Sequence, residues 1–239
     1  PKLTSKPLAL KLMLIGAVQL GVMYSFYYHS FLFLSVPEVL LFTVMTPLYI
    51  TLLNDAFNKH FNPRFFAVAL IAVLGAVAIR WQNLNSHFII GLLLVQGANI
   101  SFATGQVTYK RLMATNQLDD KTVFGWFFIG ALVVASACYA LFGNTSKLPS
   151  TPTQWGILIY LGIVASGLGY FLWNKGATKV NVGALAVMNN VLIPAGIIVN
   201  VLIWNKNADI MRLSMGGAIM LAALVINQIG TNKQNVTSL

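Results

Sequence analysis

Carboxylates are almost missing from this chain. Five Asp and Glu stand against fifteen Lys and Arg, and charged residues of both signs make up only 8% of the sequence, where a soluble domain carries about 25%. That scarcity leaves no paired acid and base for hydrolytic chemistry. No HExxH, GxSxG or GxxxxGK occurs, so a metal hydrolase, a serine hydrolase and an ATPase are all excluded within this chain and no enzymatic activity is expected. Cys138 is the single cysteine and lies inside an apolar run, which excludes a disulfide framework or a thiolate metal site. His29, His60 and His87 fall near the ends of apolar runs without ligand spacing. Neither a metal nor a cofactor is therefore expected.

What the chain has in abundance is apolar length. It is 57% hydrophobic, and several runs exceed the roughly 18 residues that separate a spanning helix from a buried one. Eight spans are predicted, at about 12–32, 37–56, 65–81, 88–109, 122–142, 153–174, 182–204 and 213–229. The third is short and ends on Arg80, a side chain long enough to reach the headgroups. A spanning strand would alternate in polarity over about ten residues, and these runs are continuously apolar. The fold class is therefore all-α, a polytopic membrane helix bundle. Its glycines, among them Gly75, Gly162, Gly169 and Gly216-Gly217, are expected to let helix backbones approach one another.

Orientation follows from the basic residues. With the N-terminus on the cytoplasmic side, that side holds Lys2, Lys6, Lys11, Lys59, Arg64, Lys110, Arg111, Lys121, Lys175, Lys179 and Lys233. The other side holds Arg80, Lys147, Lys206 and Arg212. Eleven against four is a positive-inside asymmetry that predicts both visible ends on the cytoplasmic side. The net charge of +10 is spread over short loops as anchors to anionic lipid. With no basic-aromatic cluster, nucleic acid is not an expected partner.

One pattern occurs twice. Gly21, Tyr24, Tyr27-Tyr28 and Ser30 lead through a turn to Pro37 and a helix with Pro47. Gly167, Tyr170, Trp173-Asn174 and Gly176 lead through a turn to Gly183 and a helix with Pro194. The offset is 146 residues at the tyrosines and 147 at the prolines, and an odd number of crossings between the copies would invert one against the other. In the second copy two spans, beginning near Phe88, precede the one with Tyr170. In the first copy the span with Tyr24 is almost the first feature. About sixty residues and two helices are thus expected ahead of Pro1, giving eight visible spans of ten in inverted five-plus-five repeats. The expected organisation is 1–82 for the rest of the first repeat, 83–87 for an inter-repeat loop, 88–230 for the second repeat and 231–239 for a cytoplasmic tail.

Two five-helix repeats, each with a Gly- and Tyr-bearing helix followed by a Pro-bearing helix, resemble the EamA group of the drug/metabolite transporter superfamily. The stretches Val18 to Tyr24, Leu40 to Leu52, Tyr109 to Met113, Gln154 to Leu158 and Ala165 to Thr178 are similar to one branch of that group, the enterobacterial biotin transporters. The resemblance implies a secondary transporter whose small-molecule substrate is biotin.

Polar residues within the spans are the candidate site, because an amide in lipid must be paired or face a wet cavity. Gln96, Asn99, Gln106 and Lys110 share one helical face. Asn189 and Asn190 lie before Pro194, which removes a backbone donor and frees a carbonyl. Gln19, Tyr24, Tyr170 and Trp173 supply an amide and rings in the two matched helices. The substrate-binding candidates are therefore Gln19, Tyr24, Gln96, Asn99, Tyr170, Trp173, Asn189 and Asn190, with interhelical hydrogen bonding as the competing role for the amides and an interfacial belt for the rings. Pro47 and Pro194 are expected helix kinks. Glu38 is the sole acidic candidate within the apolar zone, either as a helix N-terminal cap or as a coupling or gating carboxylate. A biotin ureido ring has two donors and one acceptor for Asn or Gln, its fused rings suit aromatic walls, and its carboxylate suits a cation or a helix N-terminus. Amino acids and other small carboxylates suit the same inventory. A non-transporting scaffold or a subunit of a larger transporter is the remaining alternative. Direction, coupling ion and oligomeric state are not expressed in these residues.

Overall fold

A computed structural model of the chain describes residues 5–80, 88–144, 148–204 and 210–237. The expected inter-repeat loop 83–87 and the side chains of Lys2, His87, Lys147 and Lys206 lie outside those residues. Each of the eight apolar runs is a helical segment. They are α1 (Lys6–Ser30), the pair α2 (Val36–Thr43) and α3 (Thr46–Asn58), α4 (Pro63–Arg80), α5 (Phe88–Asn116) and α6 (Asp120–Phe142). Then follow α7 (Pro152–Ala177), α8 (Val182–Trp204) and α9 (Ile210–Thr237). Lys6–Ser30, Glu38–Asn58, Phe88–Asn116, Asp120–Phe142 and Pro152–Ala177 are long and apolar enough to cross a membrane. Pro63–Gly75, Val182–Val191 and Ser214–Ile226 are shorter apolar stretches within the other three helices. The last helix continues through Thr237, past the end near 229 that hydropathy predicts.

Local chemistry sets the helix ends. Ser35 precedes α2, where its backbone N–H and its hydroxyl both donate to Glu38 Oε2 at 2.7 Å, and Pro37 occupies the first turn, where its missing N–H is harmless. Asp119 caps α6, and Thr151 with Gln154 forms a capping box on α7. Left-handed residues terminate two helices, Lys59 (φ 51°) after α3 and Gln117 (φ 47°) after α5. Beyond Lys59 the Asp55 carboxylate accepts the Asn62 N–H at 2.8 Å and so ties the turn into α4.

The chain divides into two compact units, residues 1–25 with 105–180 and residues 26–104 with 181–239. In the first unit, α1 and α6 cross through reciprocal glycines. A Cβ built at Gly16 would overlap the Phe127 carbonyl, and one built at Gly130 would overlap the Met13 carbonyl. Backbone therefore rests on backbone, the means by which helices gain dispersion energy where lipid supplies no hydrophobic drive. Next to this crossing the fully buried Tyr109 packs edge-on to Phe124 and Phe127, with centroids at 5.6 and 6.1 Å. Its hydroxyl donates to Asp120 at 2.6 Å.

The expected packing glycines behave unevenly. Gly75 faces Gly216, with its carbonyl 3.0 Å from a built Cβ, whereas Gly162 and Gly217 meet nothing within 4 Å. Residues 151–165 of α7 are exposed on every side, Trp155 and Ile163 included. Among the described residues no helix covers that stretch. An all-round apolar helix in that position is a surface for lipid, so Gly162 has no partner backbone to admit.

The second unit has an aliphatic core of Val44, Val68, Ala72, Val73, Val187 and Ala223. A smaller cluster of Leu34, Val39 and Val95 is flanked by Tyr27, Phe31, Phe42 and Phe88.

Candidate functional site

The second unit builds a polar cluster around a broken helix. Pro47 has no N–H to offer the Thr43 carbonyl, and its ring presses on that carbonyl. The helix accordingly divides between α2 and α3 at Val44-Met45. The Phe42, Thr43 and Val44 carbonyls at this break each accept from side chains, and that of Phe42 also takes the Met45 N–H at 3.5 Å. Thr46 Oγ1 donates to the Thr43 carbonyl at 2.7 Å. Asn99 Nδ2 donates to the Phe42 carbonyl at 3.0 Å, with Gln96 Nε2 at 3.4 Å. Asn190 Nδ2 reaches the Val44 carbonyl at 3.1 Å. The acceptors of the cluster are also engaged, since Gln96 Oε1 takes the Tyr49 hydroxyl at 3.0 Å and Asn99 Nδ2 at 3.1 Å.

Asn189 turns away from this network and donates to Leu185 of its own helix at 2.8 Å. Although α8 carries Pro194 in its interior, the helix runs uninterrupted from Val182 to Trp204. Pro47 alone is a break.

The first unit builds a different cluster. Gln19 and Asn174 are fully buried, and Gln19 Nε2 donates to Asn174 Oδ1 at 3.1 Å while Asn174 Nδ2 donates to the Tyr170 carbonyl at 3.1 Å. The Gln19 stem lies against Gly105, where a Cβ would overlap it. The rings of Tyr24 and Tyr170 meet edge to face at 6.1 Å, and the Tyr24 hydroxyl pairs with Ser166 Oγ at 3.2 Å. Trp173 is half-buried with its indole N–H out of reach of any partner among the described residues. Cys138 lies 3.2 Å from Ser25 Oγ.

Helix geometry repeats where the sequence pattern repeats. A π-helical turn, Ala17–Val22, precedes Tyr24 in α1, and another, Tyr160–Gly169, precedes Tyr170 in α7. Shifted by the 146 residues between the tyrosines, the first falls inside the second. Such turns widen the helix, leave backbone groups less tightly paired and recur at functional sites. Hydropathy carries no signal for them.

The structure revises two expectations about charge. Glu38 is not the sole acidic group within the apolar segments, because Asp55 and Asp120 are also buried, each near a helix end and each accepting hydrogen bonds. Glu38 itself, 3% exposed, is engaged in the α2 cap. Lys110 is more than an interfacial anchor, since its ammonium donates to the Ala177 and Val180 carbonyls just past α7, where a cation suits the helix dipole. Gln106, on the polar face with Gln96 and Asn99 but not among the substrate-binding candidates, has an unexpected setting. It is fully buried and its amide bonds nothing among the described residues.

The sequence profile of the EamA-like transporter family matches residues 89–228. The chain is 50% identical over 220 residues to a probable biotin transporter of Pseudomonas aeruginosa, covering 91% of this chain and 77% of that protein. It is 49% identical over 217 residues to a biotin transporter of Salmonella typhimurium, covering 90% and 73%. A pseudopaline exporter of Pseudomonas aeruginosa is 23% identical over 211 residues, covering 84% and 69%. A crystal structure of a protein 16% identical superposes with a TM-score of 0.74 over 95% of this chain and 88% of that one, a likeness of fold. Identity near one half along nine-tenths of a helical, multi-pass membrane chain leaves no other assignment, and the chain belongs to the EamA-like transporter family.

Proposed function

We propose that this chain is a secondary transporter of the bacterial inner membrane that takes up biotin by alternating access. The observation that carries the reading is its 50% and 49% identity, along nine-tenths of its length, to proteins named as biotin transporters. The chemistry agrees. Biotin needs amides for its ureido ring and aromatic walls for its fused rings, and the first unit holds Gln19, Tyr24, Tyr170 and Trp173 together with Asn174.

These four are the substrate-facing residues in our reading. Gln96, Asn99 and Asn190 close the helix break at Pro47, a hinge at which α2 and α3 can change angle, and Asn189 lies beside them in α8. The repeats are 1–82 and 88–230, inverted with respect to each other and rocking about a central site. The π-helical turns at matched positions support the duplication. Both ends face the cytoplasm by the distribution of basic residues, and transport draws on a gradient or on exchange.

Radiolabelled biotin uptake by the purified protein in proteoliposomes tests the reading, with aromatic amino acids as competitors. Saturable uptake that unlabelled biotin suppresses and amino acids do not is the expected result. Accumulation of amino acids in place of biotin would favour the second reading, an exporter or importer of amino acids or other small carboxylates. Inactivity of the purified chain under every gradient would return the protein to the scaffold or subunit class.

A further inference from the structure

Four side chains of the first unit carry buried polar atoms with no hydrogen-bond partner among the described residues. They are Gln19 Oε1, both amide atoms of Gln106, and the indole nitrogens of Trp126 and Trp173. Gln19 and Gln106 are themselves fully buried. A buried amide left unpaired is costly, more so where no water reaches it. An amide kept only to join helices would bond across to its neighbour, as Gln96 and Asn99 do. Gln106 does not.

The unpaired atoms form a recognisable set. Two amide oxygens accept, one NH2 group donates and two indole N–H groups donate. Gln19 is held by its Nε2 bond to Asn174, which leaves its oxygen as the free end. The Gln19 stem lies on Gly105, the residue before Gln106 on the same helix. A five-membered cyclic urea is the complement of this set, with two N–H donors flanking one carbonyl acceptor.

We propose that Gln106 and Gln19 are the residues that recognise the ureido ring of the substrate. The urea N–H groups donate to Gln19 Oε1 and Gln106 Oε1, while the urea carbonyl accepts from Gln106 Nε2. This assignment rests on the reading of the chain as a biotin transporter and adds the residue that reads the part of biotin most unlike other carboxylates. Gln106 is thereby a specificity residue, and the substrate supplies the partners that its amide does not find among the described residues. A site built to hydrogen-bond a group rejects analogues in which that group is altered, because its buried atoms then stay unpaired.

The test measures competition against radiolabelled biotin in proteoliposomes of the wild-type chain and of Gln106→Met, which keeps side-chain length and removes the amide. Desthiobiotin keeps the cyclic urea, whereas 2-iminobiotin exchanges the urea oxygen for nitrogen. In the wild type, desthiobiotin should compete at least about tenfold better than 2-iminobiotin. Gln106→Met should raise the KM for biotin about tenfold or more and erase that preference, with a melting temperature in detergent no lower than wild type because an unpaired amide has been removed.

Equal competition by the two analogues in the wild type overturns the assignment without reference to any variant. So does an unchanged KM and preference in Gln106→Met, or a Gln106→Met protein that no longer purifies as a folded species, which would make the amide part of the packing. Absence of biotin uptake by the wild type removes the function and this site together. Uptake without discrimination removes the site alone.

Discussion

The two polar clusters use the same side chains to opposite ends. In the second unit, Gln96, Asn99, Thr46, Tyr49 and Asn190 bond to one another or to the Phe42, Thr43 and Val44 carbonyls at the helix break. In the first, Gln19 and Gln106 are at least as deeply buried yet leave three amide atoms unpaired. An amide in a membrane helix is thus not one kind of evidence. Where a broken backbone stands beside it, the amide replaces the lost backbone bond. In the first unit, Gln19 Oε1 and both amide atoms of Gln106 have no partner among the described residues, and in our reading a ligand is that partner.

The largest expected effect lies outside both clusters, at the crossing that holds the first unit together. Gly130→Leu should abolish folded protein, scored as monodisperse yield in detergent, because the new side chain meets the Met13 backbone and not a movable side-chain tip. Normal yield would mean that α1 and α6 do not cross at these glycines. Next comes Asn99→Leu, which removes the shortest side-chain donor to the Phe42 carbonyl and the Nδ2 donor to Gln96 Oε1. A loss of about 2 kcal/mol in chemical or thermal unfolding is expected. This is the opposite in sign to the neutral or positive change expected for Gln106→Met, and matching losses at the two positions would erase the contrast between the clusters.

Glu38→Gln should cost about 0.3 to 1 kcal/mol, the worth of a carboxylate at a helix N-terminus. Gradient-driven accumulation and zero-gradient exchange should fall together. Selective loss of accumulation with exchange intact would instead make Glu38 the coupling carboxylate. Smallest of all is Gly162→Ala, expected within about 0.5 kcal/mol of wild type in melting experiments, since a Cβ there meets nothing. A large loss would reveal a helix packed on that face in the membrane.

Much of this was legible in advance. All eight apolar runs became helices because in lipid a continuous apolar segment has no other way to pair its backbone. The break ahead of Pro47 was legible because proline removes a donor wherever it sits, while at Pro194 the helix continues through the proline without such a break. Which of two prolines opens a helix depends on whether neighbouring donors stand ready for the freed carbonyls, and at Pro47 they do. The shared face of Gln96, Asn99 and Gln106 was legible from helical periodicity. That the first two would be consumed by Phe42 while the third stayed empty-handed was not, because partners come from distant segments of the chain. The glycines misled for the same reason, with Gly16 and Gly130 in contact and Gly162 open.

By itself, then, the sequence determined the solvent of this protein and where its apolar helical segments lie, and it carries the repeated residue pattern. Those properties depend on composition and on neighbours a few residues apart, which any reader of the chain can see. Tertiary structure alone decided which amides are spent on the backbone and which are left over, where π-helical turns widen α1 and α7, and which glycines touch. Each of these is set by a partner dozens of residues away or by the pairing of a backbone group, and in a medium without water a polar atom's role is defined by whether such a partner arrives.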